Sequence, residues 1–425
     1  MKIEELYRLY KQSYLVTTDT RKELKNTMFF ALKGDNFNGN IYAINALKKG
    51  ANYAIVDEKE YLTDDRIILV ESVLKTLQQL ASYHRQELNI PIIALTGSNG
   101  KTTTKELIDV VLSKKFNCTA TKGNLNNHIG VPLTLLSMTS DTEIGVVEMG
   151  ANHPNEIKLL SEIALPDYGY ITNFGKVHLE GFGNLNGVIK AKTELYDHLR
   201  NKDKTVFVNA NDEIQIEKSK KMNKVTFGSS DSDFPIEFLS ADPFVCLSFD
   251  KTIVQSKLIG KYNFLNIATA VAIGQFFKVD QKNIKAAIEN YIPSNNRSQI
   301  INKGTNRIIL DAYNANPNSM EVALENLSQL TDNKKMAILG DMFEIGENSL
   351  AEHTKVIDLA KKIQLNYLIL IGENFSKVET QSKSILQFKT YSEFKNSMNM
   401  NIFNNSTILI KASRGMALER VLDVL

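Results

Sequence analysis

The chain has few cysteines, no excess of charge of one sign and no long hydrophobic run. Its two cysteines, Cys118 and Cys246, are far apart and lack ligand-like neighbours, which argues against a disulfide framework or a structural zinc site. The 50 Lys and Arg nearly balance the 48 Asp and Glu, so the charge does not indicate a nucleic-acid or membrane-surface partner. No apolar run approaches the ~18 residues of a membrane helix, and charges occupy the place of a signal-peptide core. These absences predict a cytoplasmic protein with no nucleic-acid partner and no membrane insertion.

The length of 425 residues and the order of apolar segments predict three α/β domains. Residues 1–88 read as a small α/β domain with a strand at 28–32 and a helix at 43–49. Residues 89–294 alternate apolar strands with helical segments, which favours a parallel sheet covered by helices. The alternation resumes in residues 295–425, which predicts a Rossmann-like domain that ends in a helix.

A glycine-rich segment, TGSNGKT, lies between an apolar strand and an amphipathic helix. The predicted phosphate-binding residues are Gly97, Ser98, Asn99, Gly100, Lys101, Thr102 and Thr103. The two glycines allow a sharp turn that directs N–H groups at phosphate oxygens, and the helix N-terminus adds its positive dipole end. Lys101 can reach the β- and γ-phosphates, and the Thr102 hydroxyl can bind magnesium. The alternative is a glycine turn with a chance Gly-Lys-Thr, since the common motif has glycine where this chain has Leu95.

Two candidate metal ligands follow apolar strands of the central segment. Glu148 ends the strand-like run 144–149, and carboxyl ends of strands carry function in open α/β sheets. Glu148 could therefore hold magnesium, or it could be an exposed glutamate at the sheet edge. His178 follows the strand-like run 168–174 and would lie on the same rim, although a lone histidine is more often structural than a ligand.

The predicted helix 188–199 places one lysine in its apolar stripe. Val188, Lys192 and Leu195 fall on one face, whereas Lys190 faces solvent. Burial disfavours the charged form of an amine, so Lys192 could act as a base or react with carbon dioxide to give a metal-binding carbamate. The alternative is a lysine that lies along the edge of the stripe with its amine in water.

Taken together, these segments resemble the Mur ligase family through almost the whole chain, in the same order. TTDTR (17–21) and MFFALKG (28–34) resemble its uridine-nucleotide domain and imply substrate contacts for Thr18, Asp19 and Arg21. TGSNGKT is the family's form of the phosphate loop. GNLNNHIGVP (123–132) resembles the segment that lines the muramoyl-substrate cleft, which implies roles for Asn124, Asn126 and Asn127.

The same resemblance assigns the catalytic and nucleotide-binding residues. Glu148 and His178 match magnesium ligands, and Lys192 in AKTEL matches a carbamylated lysine. GKYNFLN (260–266) matches a nucleotide-contacting segment in which Asn263 faces the adenine end, and Arg297 and Asp311 match ATP contacts. The resemblance implies ATP and two magnesium ions, one on Thr102 and Glu148 and one on His178 and carbamylated Lys192. Lys101, Glu148, His178 and Lys192 are the implied catalytic residues.

The stretch DAYNANPNSM (311–320) discriminates within the family. It resembles the members that add D-alanyl-D-alanine, as do LGDMFEIG (339–346) and KASRGM (411–416), and it implies dipeptide contacts for Tyr313, Asn314 and Asn316. The Asp-Asn-Pro-Arg signature of the diaminopimelate- and lysine-adding members is absent from the sequence. The resemblance therefore implies an ATP-dependent amide ligase of peptidoglycan precursor synthesis, acting as a monomer on UDP-N-acetylmuramoyl-tripeptide and D-alanyl-D-alanine.

Two alternatives predict different chemistry. One is another amino-acid ligase of the Mur and folylpolyglutamate type, which the N-terminal segment and residues 313–320 disfavour. The other is a phosphate-loop ATPase without ligase activity, which would need neither an inward Lys192 nor the segment 123–132.

Overall fold

In the computed structural model, residues 1–13 and 15–425 are described, and strands alternate with helices along most of the chain. The contacts divide it into two compact units. The first unit comprises Met1–Gly97, Leu112–Ile171 and Ala191–Thr226, and the second comprises Ser98–Val111, Thr172–Lys190 and Phe227–Leu425. The three domains inferred from the sequence, 1–88, 89–294 and 295–425, remain a prediction.

The N-terminal part of the first unit is a small parallel sheet with flanking helices. Its elements are α1 (Ile3–Ser13), β1 (Val16–Thr17), β2 (Met28–Phe30), β3 (Lys33–Gly34), β4 (Phe37–Asn38), α2 (Ala43–Lys48), β5 (Tyr53–Val56), β6 (Ile67–Leu69) and α3 (Val73–Leu88). The sheet order is β1-β2-β5-β6, and β3 and β4 form a separate hairpin. The Ser72 side chain caps the start of α3, and left-handed Asn89 ends it, as capping chemistry favours. The predicted strand at 28–32 and helix at 43–49 are confirmed, each slightly shorter.

A second, six-stranded sheet follows in the order β12-β11-β10-β7-β9-β8. Its elements and connections are β7 (Ile92–Thr96), α4 (Lys101–Leu112), β8 (Cys118–Ala120), α5 (Gly130–Leu135), β9 (Ile144–Glu148), α6 (Glu156–Ala164), β10 (Tyr168–Ile171), α7 (Leu179–Phe182), α8 (Leu185–Asn201), β11 (Thr205–Asn209), α9 (Glu213–Lys218) and β12 (Asn223–Phe227). Strands β7 to β11 are parallel, and β7 and β9 are buried along their whole length. Continuous apolar runs are typical of such two-sided burial, so the predicted parallel sheet is confirmed.

The second unit contains an antiparallel sheet that the sequence analysis did not predict. It consists of β13 (Glu237–Ala241), β14 (Phe244–Phe249) and β15 (Thr252–Ile259), followed by α10 (Asn263–Phe276) and α11 (Gln281–Asn290). Side chains alternate between buried and less buried along β15, which is the pattern of a sheet with one covered face. Helix α10 is buried over most of its length and is apolar on every side.

The C-terminal region folds as a doubly covered sheet in the order β16-β17-β21-β18-β19-β20. Its elements are β16 (Gln299–Lys303), β17 (Asn306–Asp311), α12 (Pro317–Gln329), β18 (Lys335–Gly340), α13 (Ser349–Lys362), β19 (Tyr367–Ile371), α14 (Glu373–Ser376), β20 (Ile385–Phe388), α15 (Tyr391–Ser397) and β21 (Thr407–Lys411). Only β16 runs antiparallel to its neighbour. Alternate residues fill two cores: Ile309 and Leu339 belong to one, and Ile308 and Ile338 to the other. This arrangement confirms the predicted Rossmann-like layout.

The final helix that the sequence predicts after the last strand is present as two short 3₁₀ segments rather than one continuous helix. They follow β21 and span Arg414–Met416 and Leu418–Asp423. Ala417 between them has a left-handed φ of 47°, which breaks the run of helical dihedrals. Among the residues described, no helix combines the length and apolar character needed to cross a membrane.

Candidate active site

The glycine-rich segment lies where the sequence predicts it, at the carboxyl end of a buried central strand. Strand β7 ends at Thr96 and α4 begins at Lys101. Gly97 and Gly100 have φ values of 143° and 80°, which favour glycine. The first-turn N–H groups of α4 have no partner four residues back within the helix, which makes this end suited to an anion. In the structure Lys101 Nζ donates to the carbonyl of Ser98 at 3.2 Å, so the amine lies over the segment itself.

The segment after β10 supports this phosphate loop through several hydrogen bonds. The N–H groups of Ser98 and Asn99 donate to the carbonyl and side-chain oxygens of Asn173, each at 3.0 Å. Thr172 Oγ1 donates to the Asn99 carbonyl at 2.6 Å, and the N–H of Gly175 donates to Ser98 Oγ at 2.9 Å. Asn173 Nδ2 adds a bond to the same Asn99 carbonyl at 3.1 Å. These bonds hold the loop in its conformation.

Asn266 on α10 packs against the other side of the loop. A methyl group on Gly100 would lie 2.5 Å from Asn266 Oδ1, so any other residue would require Asn266 to shift. Asn266 Oδ1 accepts from Thr104 Oγ1 at 3.0 Å, and its Nδ2 donates to Asn263 Oδ1 at 2.8 Å. Asn263 Nδ2 in turn donates to the Ile259 carbonyl at 2.8 Å. The predicted adenine contact of Asn263 is not tested, but its buried amide has a structural role in this chain of bonds.

Glu148 ends β9, the strand that pairs with β7, and its register partner is Leu95. Only 1% of the residue is exposed. Its Oε1 accepts from Asn126 Nδ2 at 2.8 Å, and its backbone N–H donates to Thr121 Oγ1 at 3.0 Å. The second carboxylate oxygen, Oε2, is buried and has no hydrogen-bond partner. A buried carboxylate oxygen without a donor is a costly arrangement that a cation would relieve.

Lys192 is buried, as its position in the apolar stripe predicts, and Lys190 is exposed. Only 1% of Lys192 is exposed, and its Nζ donates to the Ala151 carbonyl at 3.1 Å. Ala151 follows Glu148 by three residues, so the amine reaches the carboxyl edge of β9. The structure thus brings Glu148, Asn126 and Lys192 together within the first unit.

His178 lies in the second unit, at the start of α7, with a left-handed φ of 47°. It follows Gly175, which is bonded to the phosphate loop, by three residues. Its Nδ1 is hydrogen-bonded to the Glu344 carboxylate. Among the described residues, no group of three or more His, Cys, Asp and Glu side chains could by itself enclose a metal ion.

Asp311 ends β17 and is held as one partner of an ion pair. Its register partner on β21 is Lys411, whose Nζ lies 2.5 Å from Asp311 Oδ2. The other oxygen, Oδ1, accepts from the Ser298 N–H at 3.2 Å, and Ser298 Oγ is 2.6 Å from the hydroxyl of Tyr262. Burial raises the pKa of Tyr262 and Asp311 adds to that shift, so the phenol stays protonated. The sequence analysis missed Lys411, and the facing strand ends are the signal that could have identified it.

The other predicted contact residues of the C-terminal region are Arg297, Tyr313, Asn314 and Asn316. The Arg297 guanidinium stacks 3.7 Å from the centre of the Tyr313 ring, and its buried Nε has no partner. Asn314 Oδ1 accepts from the N–H of Ala315 at 2.9 Å. Asn316 caps α12 and also donates from Nδ2 to Asn99 Oδ1 of the phosphate loop at 2.8 Å.

The predicted substrate residues of the first unit form local contacts. Asp19 and Arg21 form a two-bond ion pair at 2.9 Å, and these bonds hold the pKa of the Asp19 carboxyl well below its usual range. Thr18 precedes this pair and is half-buried. Asn127 Oδ1 accepts from the N–H of Gly130 at 2.8 Å, and the Asn124 carbonyl accepts from the N–H of Asn126 at 2.7 Å.

The sequence analysis missed three supporting residues, Thr121, Asn173 and Asn266. Their position as polar residues next to strand ends or near the glycines of the loop is the sequence signal that could have identified them.

The sequence and the structure are both similar to those of known ligases. Residues 95–274 match the Mur ligase middle domain, and residues 296–419 match the Mur ligase, glutamate ligase domain. The chain is 32% identical to the UDP-N-acetylmuramoyl-tripeptide–D-alanyl-D-alanine ligase of Bacillus subtilis, over 97% of the chain and 93% of the relative. It is similar to a crystal structure of MurF from Acinetobacter baumannii, with a TM-score of 0.86 and 29% identity over 98% of this chain and 97% of that one. It is also similar to MurF ligase from Thermotoga maritima in complex with ADP, with a TM-score of 0.82 and 27% identity over 97% of each chain.

Proposed function

The chain belongs to the Mur ligase family, and we propose that it joins D-alanyl-D-alanine to UDP-N-acetylmuramoyl-tripeptide with conversion of ATP to ADP and phosphate. The relatives that match almost the whole chain carry the name of this reaction. The structural observation that carries the proposal is the position of two buried side chains. Glu148 and Lys192 both reach the carboxyl edge of β9, next to the strand that leads into the phosphate loop.

The reaction needs an activated carboxyl group, because a carboxylate does not react with an amine at a useful rate. An oxygen of the tripeptide carboxylate attacks the γ-phosphorus of ATP, and ADP leaves as the bond to the bridging oxygen breaks. The dipeptide amine then attacks the acyl phosphate, loses a proton, and phosphate leaves with one former carboxylate oxygen. The chain contributes mainly by positioning and by stabilising negative charge. In this proposal Lys101 moves from the Ser98 carbonyl to the γ-phosphate.

The oxygen donors of Thr102 and Glu148 fit magnesium, which prefers oxygen ligands and keeps waters or substrate phosphates in its shell. The buried, unpartnered Oε2 of Glu148 is the observation that supports a cation there. We propose Thr102 and Glu148 as ligands of one ion, and His178 and a carbamylated Lys192 as ligands of a second. Bound magnesium would offset the repulsion between the phosphates and the attacking carboxylate.

The remaining assignments are proposals of the same kind. Asn263, Arg297 and Asp311 would bind the nucleotide, and the contacts of Asn266, Tyr313 and Lys411 would hold these three in position. The uridine nucleotide would contact Thr18, Asp19 and Arg21, and the muramoyl part Asn124, Asn126 and Asn127. Tyr313, Asn314 and Asn316 would contact the dipeptide. We propose a cytoplasmic monomer.

Isotope transfer tests this route directly. The tripeptide nucleotide is labelled with ¹⁸O in its terminal carboxylate and incubated with ATP, magnesium and D-alanyl-D-alanine. Mass spectrometry of the released phosphate should find one ¹⁸O per phosphate, together with the pentapeptide nucleotide as product. Unlabelled phosphate would contradict the acyl-phosphate route, and absence of the pentapeptide product would contradict the proposed ligation.

A further inference from the structure

The contact between His178 and Glu344 joins two segments that are far apart in sequence. Nδ1 of the imidazole is hydrogen-bonded to a carboxylate oxygen of Glu344, 166 residues further along the chain. Both residues belong to the second unit. The His178 side chain is 26% exposed and that of Glu344 is 54% exposed, so the pair can be reached from solvent.

Both partners have left-handed backbone conformations. The φ angle is 47° at His178 and 61° at Glu344, in a region that few residues other than glycine adopt and in which histidine is among the enriched types. Such a conformation persists where surrounding contacts impose it, often at a functional site. Here two left-handed residues are in direct contact.

The segments on either side are anchored. Three residues before His178, the N–H of Gly175 is bonded to Ser98 of the phosphate loop. On the other side, the N–H of Phe343 donates to Ser413 Oγ at 2.9 Å, and the N–H of Met342 donates to His353 Nε2 at 3.1 Å. Glu344 is therefore presented by a fixed loop to a histidine close in sequence to the phosphate-binding residues.

We propose that Glu344 is a positioning residue that orients His178 for metal binding; this rests on the proposed role of His178 as a magnesium ligand. A carboxylate that accepts from Nδ1–H fixes the tautomer with the lone pair on Nε2. Carboxylate partners of metal-binding histidines commonly orient the ring in this way. Glu344 would thus act through His178, and the contact ties the segment 339–346 to the segment that carries this predicted ligand.

Mn²⁺ binding in the presence of a non-hydrolysable ATP analogue tests this role without turnover. Glu344→Ala should weaken Mn²⁺ binding about 10- to 100-fold, the usual effect of losing such a partner. Glu344→Gln should weaken it less, because the amide oxygen can still accept from Nδ1–H. Glu347→Gln, on an exposed glutamate three residues later, is the matched control and should leave the Kd unchanged. The double variant His178→Ala with Glu344→Ala should bind no more weakly than His178→Ala alone.

The ¹⁵N spectrum of the imidazole gives a second readout that a purely structural contact would not move. The wild-type protein should show His178 protonated at Nδ1, and Glu344→Ala should shift the signal toward a mixture of tautomers. A wild-type Kd for Glu344→Ala, with weakened binding by His178→Ala, would overturn the positioning role alone. Unchanged Mn²⁺ binding by His178→Ala would overturn the ligand assignment in the proposed function, and the role of Glu344 with it.

Discussion

Replacing Gly100 with alanine tests how the phosphate loop is built. The residue has a φ of 80°, where alanine is destabilised by about 1–2 kcal/mol. The new methyl group would lie 2.5 Å from Asn266 Oδ1, which is fixed by bonds that involve Thr104 and Asn263. Displacing Asn266 would disturb both bonds, at about 1 kcal/mol each. We therefore expect Gly100→Ala to lower the free energy of unfolding by about 3 kcal/mol.

Gly304→Ala provides the matched control. Gly304 lies in the turn between β16 and β17 with a φ of 58°, and a methyl group there would meet no atom within 4 Å. Its replacement should cost only the backbone contribution of about 1–2 kcal/mol. Urea unfolding measures both variants, and ADP titration should show at least about tenfold weaker binding for Gly100→Ala only, equivalent to about 1.4 kcal/mol. Equal unfolding free energies and unchanged ADP affinity would refute this account of the loop.

Three further predictions concern buried charged or titratable groups. Lys192→Met removes the amine and should therefore abolish ligation. Because methionine keeps most of the side-chain volume, the free energy of unfolding should fall by less than about 1.5 kcal/mol. Lys190→Met on the exposed face should leave both unchanged, and equal ligation by the two variants would contradict the role of Lys192. Lys411→Met leaves the Asp311 carboxylate without its cation and should cost about 3 kcal/mol in urea unfolding, whereas a loss below about 1 kcal/mol would argue against a structural ion pair. Burial lowers the pKa of His84 from 6.5, so the unfolded chain binds a proton that the folded chain does not. The free energy of unfolding should therefore fall as pH drops below about 6.5, and His84→Gln should reduce that slope in thermal melts at pH 5 to 7.

The parts of the fold that follow from local pattern could be predicted from the sequence. Apolar runs identified β7 and β9, and the glycine spacing placed the phosphate loop between β7 and α4. The burial of Lys192 followed from the period of its helix and is confirmed. These predictions succeed because two-sided burial produces continuous apolar runs and helix periodicity produces regularly spaced apolar residues, both of which can be seen in the sequence.

The parts that depend on contacts between distant segments could not be predicted. In the antiparallel sheet β13–β15, apolar and polar residues alternate only weakly along the sequence. The register depends on pairing between strands, and no short motif indicates it. The final helix is divided into two 3₁₀ segments by left-handed Ala417. Nothing near His178 in sequence indicates Glu344, because the two meet only when distant segments pack.

Phosphate release by the purified protein tests the central claim most directly. ATP and magnesium are supplied with UDP-N-acetylmuramoyl-tripeptide, with D-alanyl-D-alanine, with both, or with the tripeptide nucleotide and single amino acids including glutamate. We predict sustained release only when the tripeptide nucleotide and the dipeptide are both present. Sustained release with a single amino acid would contradict the claim and indicate another ligase activity. Sustained release without any acceptor would also contradict it and indicate a phosphate-loop ATPase.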